Sequence, residues 1–386
     1  TRDQMVETCA GCHSRRAEIT DEPVPGASYW DHYLLSMVDE SDLFYPDGQI
    51  HDEDYEFTAF LGSRMYNKGV RCMDCHNPHT MKTKLPGNLL CLSCHAVGST
   101  TAPNIDPVSH SHHQVFGCDS KGVLTNTDVN AYLSSKIKQT GGECINCHMP
   151  QTVYMQRHWR HDHGFTIPDP LLTKQFGIPN ACDRCHTDKS ADWSLEYVEE
   201  WYGTNMNRPY RHRAETLARA RQGDKSAVKP LLQMLQTDEF PYWRAAAANL
   251  LQPWADAPEV TKALTGELAN TNPLVRQTVV QALGPLVDAG RDNVISALKP
   301  MLKDRSRNVR VAAARQLVAT LYTNSTAGAD YMRYLGHVAD QPLGQLQIGD
   351  FELRRGDATN ALVHFEQAAA WDAYSPGIRH ELAVVL

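Results

Sequence analysis

The chain has 386 residues, a formal net charge of −8, and 42% hydrophobic and 21% charged residues. This globular composition excludes a disordered or collagen-like chain, and the length suggests roughly two to four domains. No Lys/Arg-rich block points to nucleic acid, and no run of about 18 apolar residues could span a membrane. Cysteine and histidine are unevenly spread. All 11 Cys lie between Cys9 and Cys185, and 15 of the 18 His lie in the first 212 residues.

Residues 1–205 are loop-rich and carry one Cys-x-x-Cys-His motif five times, numbered here motifs 1 to 5. The motif residues are Cys9, Cys12 and His13; Cys72, Cys75 and His76; Cys91, Cys94 and His95; Cys144, Cys147 and His148; and Cys182, Cys185 and His186. This motif is the attachment signal for c-type haem. Two thiols on one turn reach the two vinyl groups of the porphyrin, and the following His reaches the iron. We therefore predict five covalently bound haem c groups, which supply the apolar core that a short, loopy segment lacks.

Other uses of paired cysteines fit the pattern less well. A structural zinc ion needs four ligands from spaced pairs, and iron–sulfur ligation lacks the fixed following His. A disulfide framework does not space its cysteines in identical pairs, and a thioredoxin-like pair does not recur five times. The eleventh cysteine, Cys118, lies in an expected loop insertion over residues 114–140, and the sequence leaves its role open.

Helical periodicity begins near residue 210, after short helices expected in the motif region at 13–18, 91–96 and 192–201. Amphipathic helices are predicted over 213–221, 225–236, 242–252, 259–269, 273–283, 294–303 and 309–321. The arginines Arg244, Arg276 and Arg310 recur at spacings of 32 and 34 residues, and a leucine follows each of them seven residues later. A repeat of this length built from helices indicates a solenoid. The pattern resembles HEAT repeats over residues 206–325, and we interpret these arginines and leucines as scaffold.

Residues 326–386 show a different spacing of small and aromatic residues. Gly349, Ala361, Phe365 and Ala368 resemble one tetratricopeptide repeat. The expected fold class is therefore mainly α, with a loop-rich multihaem cytochrome c module (1–205) followed by an α-solenoid of helical-hairpin repeats. The chain starts at Thr1 and stops within an expected helix, so we expect it to be a fragment of a longer protein.

The first 205 residues resemble the bacterial multihaem c-type cytochromes, in particular those fused to helical repeats. The resemblance rests on the five motifs, on Cys75-His76-Asn-Pro-His79, on Cys147-His148-Met-Pro150 and on Asp162-His163-Gly-Phe. It implies haem irons with two histidine ligands, electron transfer, and a protein exported to the periplasm or the outer cell surface.

The motif histidines are the proximal iron ligands. We expect the distal ligands among the other histidines, which are abundant, and regard the methionines Met37, Met65, Met73, Met149 and Met155 as the less favoured alternative. His79 lies too close to His76 to cross its own haem ring, and we expect it to bind a neighbouring iron. Three histidines cluster at 110–113, where the resemblance favours the first two, and the resemblance also favours His163. The distal candidates are His32, His79, His110, His112 and His163, with His113, His51, His158, His161 and His212 in reserve.

Histidine on both faces of each iron leaves no open coordination position, so such haems pass electrons without binding substrate. We expect low-potential haems that form a wire, no catalytic residues, and redox proteins as partners, including other cytochromes or further copies of this chain. The repeats then serve docking or assembly, an extracellular filament among the options. The alternative is a nitrite- or hydroxylamine-type oxidoreductase with one open haem. One observation speaks against this alternative. The ammonia-forming nitrite reductases have a Lys in place of the final motif His at their active haem, and none of the five motifs here has that Lys.

Overall fold

The computed structural model describes residues 2–53, 55–119, 121, 123, 125–135, 140–203 and 208–386. The fold is mainly helical, as expected, with loop-rich connections in the first half and helical repeats in the second. It divides into two compact units. The motif unit comprises Thr1–Arg15 and Met37–Asp224, and the repeat unit comprises Arg16–Ser36 and Lys225–Leu386.

The strands are short and antiparallel. They pair as β1 (Arg16–Glu18) with β2 (Tyr33–Leu35), β3 (His76–Asn77) with β4 (Lys82–Thr83), and β5 (Gln151–Tyr154) with β6 (His158–His161). The first pair belongs to the repeat unit and the other two to the motif unit.

Short helices separated by loops build the motif unit. They are α1 (Arg2–His13), α2 (Glu56–Gly62), α3 (Arg64–Asn67), α4 (Cys72–Cys75), α5 (Asn88–His95), α6 (Pro107–Ser111), α7 (Val129–Ser134), α8 (Cys144–His148), α9 (Pro170–Phe176), α10 (Ala191–Tyr202) and α11 (Pro209–Arg221), with a 3₁₀ turn at Cys182–Arg184. The helices predicted at 91–96 and 192–201 are confirmed as α5 and α10. The helix predicted at 13–18 is wrong, because α1 ends at His13 and the next residues form β1.

One buried carboxylate joins two helices of the motif unit. Asp169 caps α9 by accepting a hydrogen bond from the backbone N–H of Leu171. Arg211 of α11 donates from Nε and Nη2 to the two oxygens of the same carboxylate, both at 2.8 Å. Leu172 and Ile178 pack beside this ion pair in a small apolar cluster.

Helices also account for most of the repeat unit. They are α12 (Val228–Thr237), α13 (Pro241–Leu250), α14 (Pro258–Glu267), α15 (Pro273–Ala282), α16 (Gly284–Asp288), α17 (Asp292–Leu298), α18 (Arg307–Gln316), α19 (Thr326–His337), α20 (Pro342–Arg354), α21 (Ala358–Trp371) and α22 (Pro376–Val385). Each helix predicted between 213 and 321 has a counterpart, although the first of them forms part of α11 in the motif unit. The helix predicted at 294–303 is shorter: α17 ends at Leu298 and a 3₁₀ helix with Pro300 follows, because proline offers no N–H to continue the α-helix.

The recurring arginines bind the successive repeats together. The helices α13, α15, α18 and α19 pack in succession. In each repeat an arginine donates both to a backbone carbonyl near its own helix and to a carboxylate later in the chain: Arg244 to Glu267, Arg276 to Asp304, and Arg310 to Asp330. These bonds support the interpretation of the arginine set as scaffold.

The segment Arg16–Ser36, here called the strap, packs into the repeat unit although it follows motif 1 in sequence. Ile19 is fully buried in an apolar cluster with Val311 and Tyr331. Asp31 accepts hydrogen bonds from the backbone N–H and the guanidinium of Arg307. The domain boundary predicted at residue 205 lies within residues 204–207, which are outside the described residues. In the structure, the motif unit ends at Asp224 and the repeat unit resumes at Lys225.

Candidate haem sites

A helical turn carries each of the five motifs. Motif 1 ends α1, motif 2 spans α4, motif 3 ends α5, motif 4 forms α8, and motif 5 begins with the 3₁₀ turn. A turn of helix brings residues three and four apart to the same side, which is what two thioether bonds to one porphyrin edge require. All 11 cysteines are free of disulfides, and none is fully buried. The thiols are therefore available for attachment.

The motif imidazoles are held in the way that suits an iron ligand. The Nδ1 of His95 lies 3.0 Å from the carbonyl oxygen of Pro103, and that of His148 lies 2.8 Å from the carbonyl of Thr166. In His13 the partner of Nδ1 is the carboxylate of Glu56, at 2.9 Å. An imidazole that donates Nδ1–H to an oxygen keeps Nε2 unprotonated and directed for a metal bond. These residues fit haem ligation.

The described residues do not fit a protein-bound metal ion of the zinc type. Across the part of the chain that the structure describes, no three or more His, Cys, Asp and Glu side chains converge on one point. A haem iron needs only two protein ligands, because the porphyrin supplies four nitrogens.

Cysteines of different motifs lie side by side. The side chains of Cys9 and Cys72 lie close enough to interact, and this interaction lowers the pKa of Cys9 to about 6. In the same way, the nearby Cys144 lowers the pKa of Cys91. Motif 1 is thus adjacent to motif 2, and motif 3 is adjacent to motif 4.

Two further proximities complete the row of motifs. The pKa of Cys75 is raised first by burial and then by the nearby Cys91 of motif 3. Burial raises the pKa of Cys147 to about 11, with a further contribution from Cys182 of motif 5. Each motif therefore neighbours the next one along the chain, in the order 1, 2, 3, 4 and 5.

Three motif histidines face a second histidine at a spacing suited to one iron. A metal–imidazole bond is about 2 Å long and the nitrogen lies about 1 Å from the ring centre, so two axial rings are about 6 Å apart. The ring centres are 6.2 Å apart for His76 and His163, 5.9 Å for His148 and His110, and 6.5 Å for His186 and His113. The structure thus brings two of the five distal candidates, and one reserve, next to motif histidines.

Backbone carbonyl oxygens position two of these second histidines, His163 and His113. The Nδ1 of His163 lies 2.7 Å from the carbonyl oxygen of His161. That of His113 lies 2.5 Å from the carbonyl oxygen of Ser111, and its ring packs on Gly141, where a Cβ would be only 2.6 Å from the imidazole. A side chain at residue 141 would displace His113, which explains a glycine at that position.

The structure places the other distal candidates elsewhere. His112 stacks on Trp201, with ring centres 4.2 Å apart and planes 7° from parallel. His79 is exposed in the turn between β3 and β4, and its backbone N–H donates a hydrogen bond to Oδ1 of Asn77. His32 is buried in the strap, where its Nε2 accepts a weak 3.4 Å hydrogen bond from Val24.

The remaining reserve histidines have protein partners or lie exposed. Both ring nitrogens of His161 are engaged, by the carbonyl of Met149 and the side chain of Gln151. His51 packs on Tyr45 at the wall of a cavity of about 520 Å³. His158 is exposed on β6, and His212 lies 3.7 Å from Glu215.

Sequence reasoning missed the residues that surround the axial histidines. Along α10, Trp193, Tyr197 and Trp201 recur every four residues and pack against one another. Trp193 contacts His186 at 4.8 Å. The four-residue spacing of these aromatic residues is visible in the sequence and could have predicted one aromatic face on α10. No sequence pattern identifies Glu56 as the partner of His13. Cys118 is half-buried, and burial raises the pKa of its thiol.

Comparison with known proteins bears on the motif region. The family described as "Doubled CXXCH motif" matches residues 65–100, which contain motifs 2 and 3. This match supports a multihaem c-type cytochrome. The CXXCH sequence indicates covalently bound haem c, and electron transport is the general function of such proteins.

Two further comparisons concern the whole chain. A search of curated proteins found no relative. A solved structure titled "Crystal Structure of Outer Cell Wall Cytochrome OcwA" aligns with 16% identity and a TM-score of 0.35, over 72% of this chain and 63% of that one. The chain therefore spans less than two thirds of that protein's length. Within the described residues, no helix is long and apolar enough to cross a membrane.

Proposed function

We propose that this cytochrome binds five haem c groups, one at each motif, and carries electrons along them in the order of the motifs. The observation that carries the proposal is the row of attachment sites, in which the cysteines of each motif lie near those of the next. Attachment sites that lie near one another would hold their haems at short separation. Such a row forms a wire and not a set of isolated centres.

Histidine pairs complete the coordination in this proposal. The ring spacings support His163 as the partner of His76, His110 as the partner of His148, and His113 as the partner of His186. For motifs 1 and 3 the distal ligands stay among the predicted candidates, with His79 among them. Bound in this way, the haems supply one-electron transfer at iron, and the paired imidazoles exclude substrate from the metal.

The repeat unit is proposed as a surface for docking or assembly. The packing of α13, α15, α18 and α19 in succession, and of α20 on α21 with Gly349 against Phe365, supports this role. Ionised haem propionates add to the chain's own net charge of −8, so a positively charged redox protein would be steered toward it. We further propose an exported protein, because bacteria attach haem c outside the cytoplasmic membrane.

A haem count tests the stoichiometry. The denatured protein should retain five haems per chain in a pyridine haemochrome assay, because ten cysteines form five complete motifs. Replacing Cys91 and Cys94 with serine should leave four, whereas Cys118→Ser should leave five. A count of three or fewer for the unaltered chain would overturn the proposal.

The ferric spectrum and carbon monoxide separate the wire from an enzyme. If every iron has two histidines, the ferric protein is entirely low-spin, and the reduced protein binds little carbon monoxide. One high-spin haem together with turnover of nitrite or hydroxylamine would favour the oxidoreductase alternative.

A further inference from the structure

Of the motif histidines whose Nδ1 partner is described, His13 is the one that pairs with a charged group. Its Nδ1 lies 2.9 Å from Oε2 of Glu56, the first residue of α2. In His95 and His148 the equivalent nitrogen faces a neutral backbone carbonyl. The iron of motif 1 therefore has a proximal ligand in a different electrostatic setting.

The carboxylate of Glu56 is well placed to act on this ligand. Its side chain is 20% exposed, so solvent screens it less than a surface charge. The hydrogen bond from the Nδ1–H of His13 and the adjacent Arg160 guanidinium both favour the ionised carboxylate. Glu56 also lies within electrostatic range of His76 and His163.

A single cation limits the charge of Glu56. Arg160 of β6 lies 3.4 Å from Oε1, the oxygen that does not face His13. Its guanidinium is also stacked on Tyr154, 3.6 Å from the ring centre. Arg160 thus withdraws part of the negative charge that His13 would otherwise experience.

We propose that Glu56 is a positioning residue that lowers the reduction potential of the haem at motif 1 relative to the other four. A carboxylate that accepts the Nδ1–H of an axial imidazole makes the ring more basic and a stronger donor to iron. Stronger donation and a nearby negative charge both favour the ferric state, which carries one more positive charge than the ferrous state. This inference rests on the proposed haem function.

Potentiometric titration of the intact holoprotein tests the role of Glu56. In Glu56→Gln the amide oxygen still accepts the Nδ1–H hydrogen bond, but the negative charge is gone. We expect the one-electron transition of the haem at motif 1 to move upward by about 59 mV, equivalent to a tenfold change in the reduction equilibrium. The transition of the haem at motif 2 should move less, because Glu56 acts on its histidines only through space. The electron paramagnetic resonance of one low-spin ferric haem should change as well.

Two further variants separate the proposed role from general electrostatics. Arg160→Gln removes the cation and should move the same transition downward. Asp52→Asn is the matched control, since Asp52 pairs with Arg15 at 2.6 Å, two residues from His13, without touching the imidazole. It should leave the potentials in place.

Each outcome has a defined meaning. Unchanged potentials in Glu56→Gln, or an equal shift of all five haems, would overturn the inference while leaving the wire intact. Failure to find five low-spin haems in the unaltered chain would instead overturn the proposed function. If Glu56→Gln lost haem, the downward shift in Arg160→Gln would still decide the matter, and its absence would reject the role.

Discussion

Arg276 donates hydrogen bonds from Nε and Nη2 to the two carboxylate oxygens of Asp304, at 2.7 and 2.8 Å. The two side chains are 6% and 7% exposed. Burial alone raises the pKa of Asp304, but hydrogen bonds from Arg276 and from the Ser306 backbone N–H bring it below its ordinary value. The pair therefore stabilises the repeat unit only while the carboxylate is ionised.

Removing this arginine should destabilise the repeat unit strongly. Arg276→Ala leaves the Asp304 charge buried without its partner, for which we expect a loss of about 3–5 kcal/mol in the free energy of unfolding. The measurement is denaturant unfolding followed by circular dichroism. Because the folded pKa of Asp304 is depressed, its contribution is complete above its unfolded pKa of about 4 and is lost as pH falls through the folded value.

An exposed ion pair of the same unit provides the control. Arg333 lies 3.7 Å from Glu22, and both side chains are largely in solvent. Arg333→Ala should therefore cost at most about 1 kcal/mol. Equal losses in the two variants would show that the buried pair is not a special element of the scaffold.

The strap should contribute to the stability of the repeat unit through Ile19. This side chain is fully buried beside Val311 and Tyr331, so Ile19→Ala should cost about 2–5 kcal/mol. Val24→Ala in the same segment, where the side chain is 60% exposed, should change little. Thermal unfolding of the intact protein measures both, and an unchanged midpoint in Ile19→Ala would contradict the packing of the strap.

The motifs and the repeat helices could be predicted because their signals are local. Five contiguous residues suffice for haem attachment, and a helical period identifies an amphipathic helix wherever it packs. The spacing of Arg244, Arg276 and Arg310 likewise predicts equivalent positions. Their acidic partners could not be predicted, because many Asp and Glu residues lie within the same distance along the chain.

The distal histidines and the strap depend on contacts between remote segments. His76 begins β3 and His163 follows β6, 87 residues later, and only the folded chain brings their rings to 6.2 Å. Similarly, nothing in the residues around Ile19 indicates that the strap leaves the motif region for the repeats. The prediction that His112 and not His113 is a distal ligand came from a resemblance to other cytochromes. Such a resemblance contains no information about the stacking of His112 on Trp201 in this chain.

Removing His163 should open one coordination site. If His163 is the partner of His76, His163→Ala converts the haem attached at Cys72 and Cys75 to a high-spin ferric form that binds carbon monoxide when reduced. All five haems should remain attached. His158→Ala, an exposed change on β6 five residues before His163, should leave the protein low-spin. A fully low-spin His163→Ala protein would exclude His163 as a ligand.

The histidine cluster at 110–113 offers a direct comparison between adjacent residues. The structure places His113 at 6.5 Å from His186 and stacks His112 on Trp201. We therefore expect His113→Ala to produce one high-spin haem of the five, attached at Cys182 and Cys185. His112→Ala should leave every haem low-spin, since the stack on Trp201 supplies packing and no metal bond.

The ferric absorption spectrum and the carbon monoxide difference spectrum of the reduced protein distinguish these two variants. The haem count serves as the control, because both proteins retain all ten motif cysteines. Gly141→Ala adds an independent check: its methyl group would meet the His113 ring at 2.6 Å, so it should reproduce part of the His113→Ala spectrum. A high-spin signal in His112→Ala alone would instead show that His112 is the ligand, as the resemblance predicts.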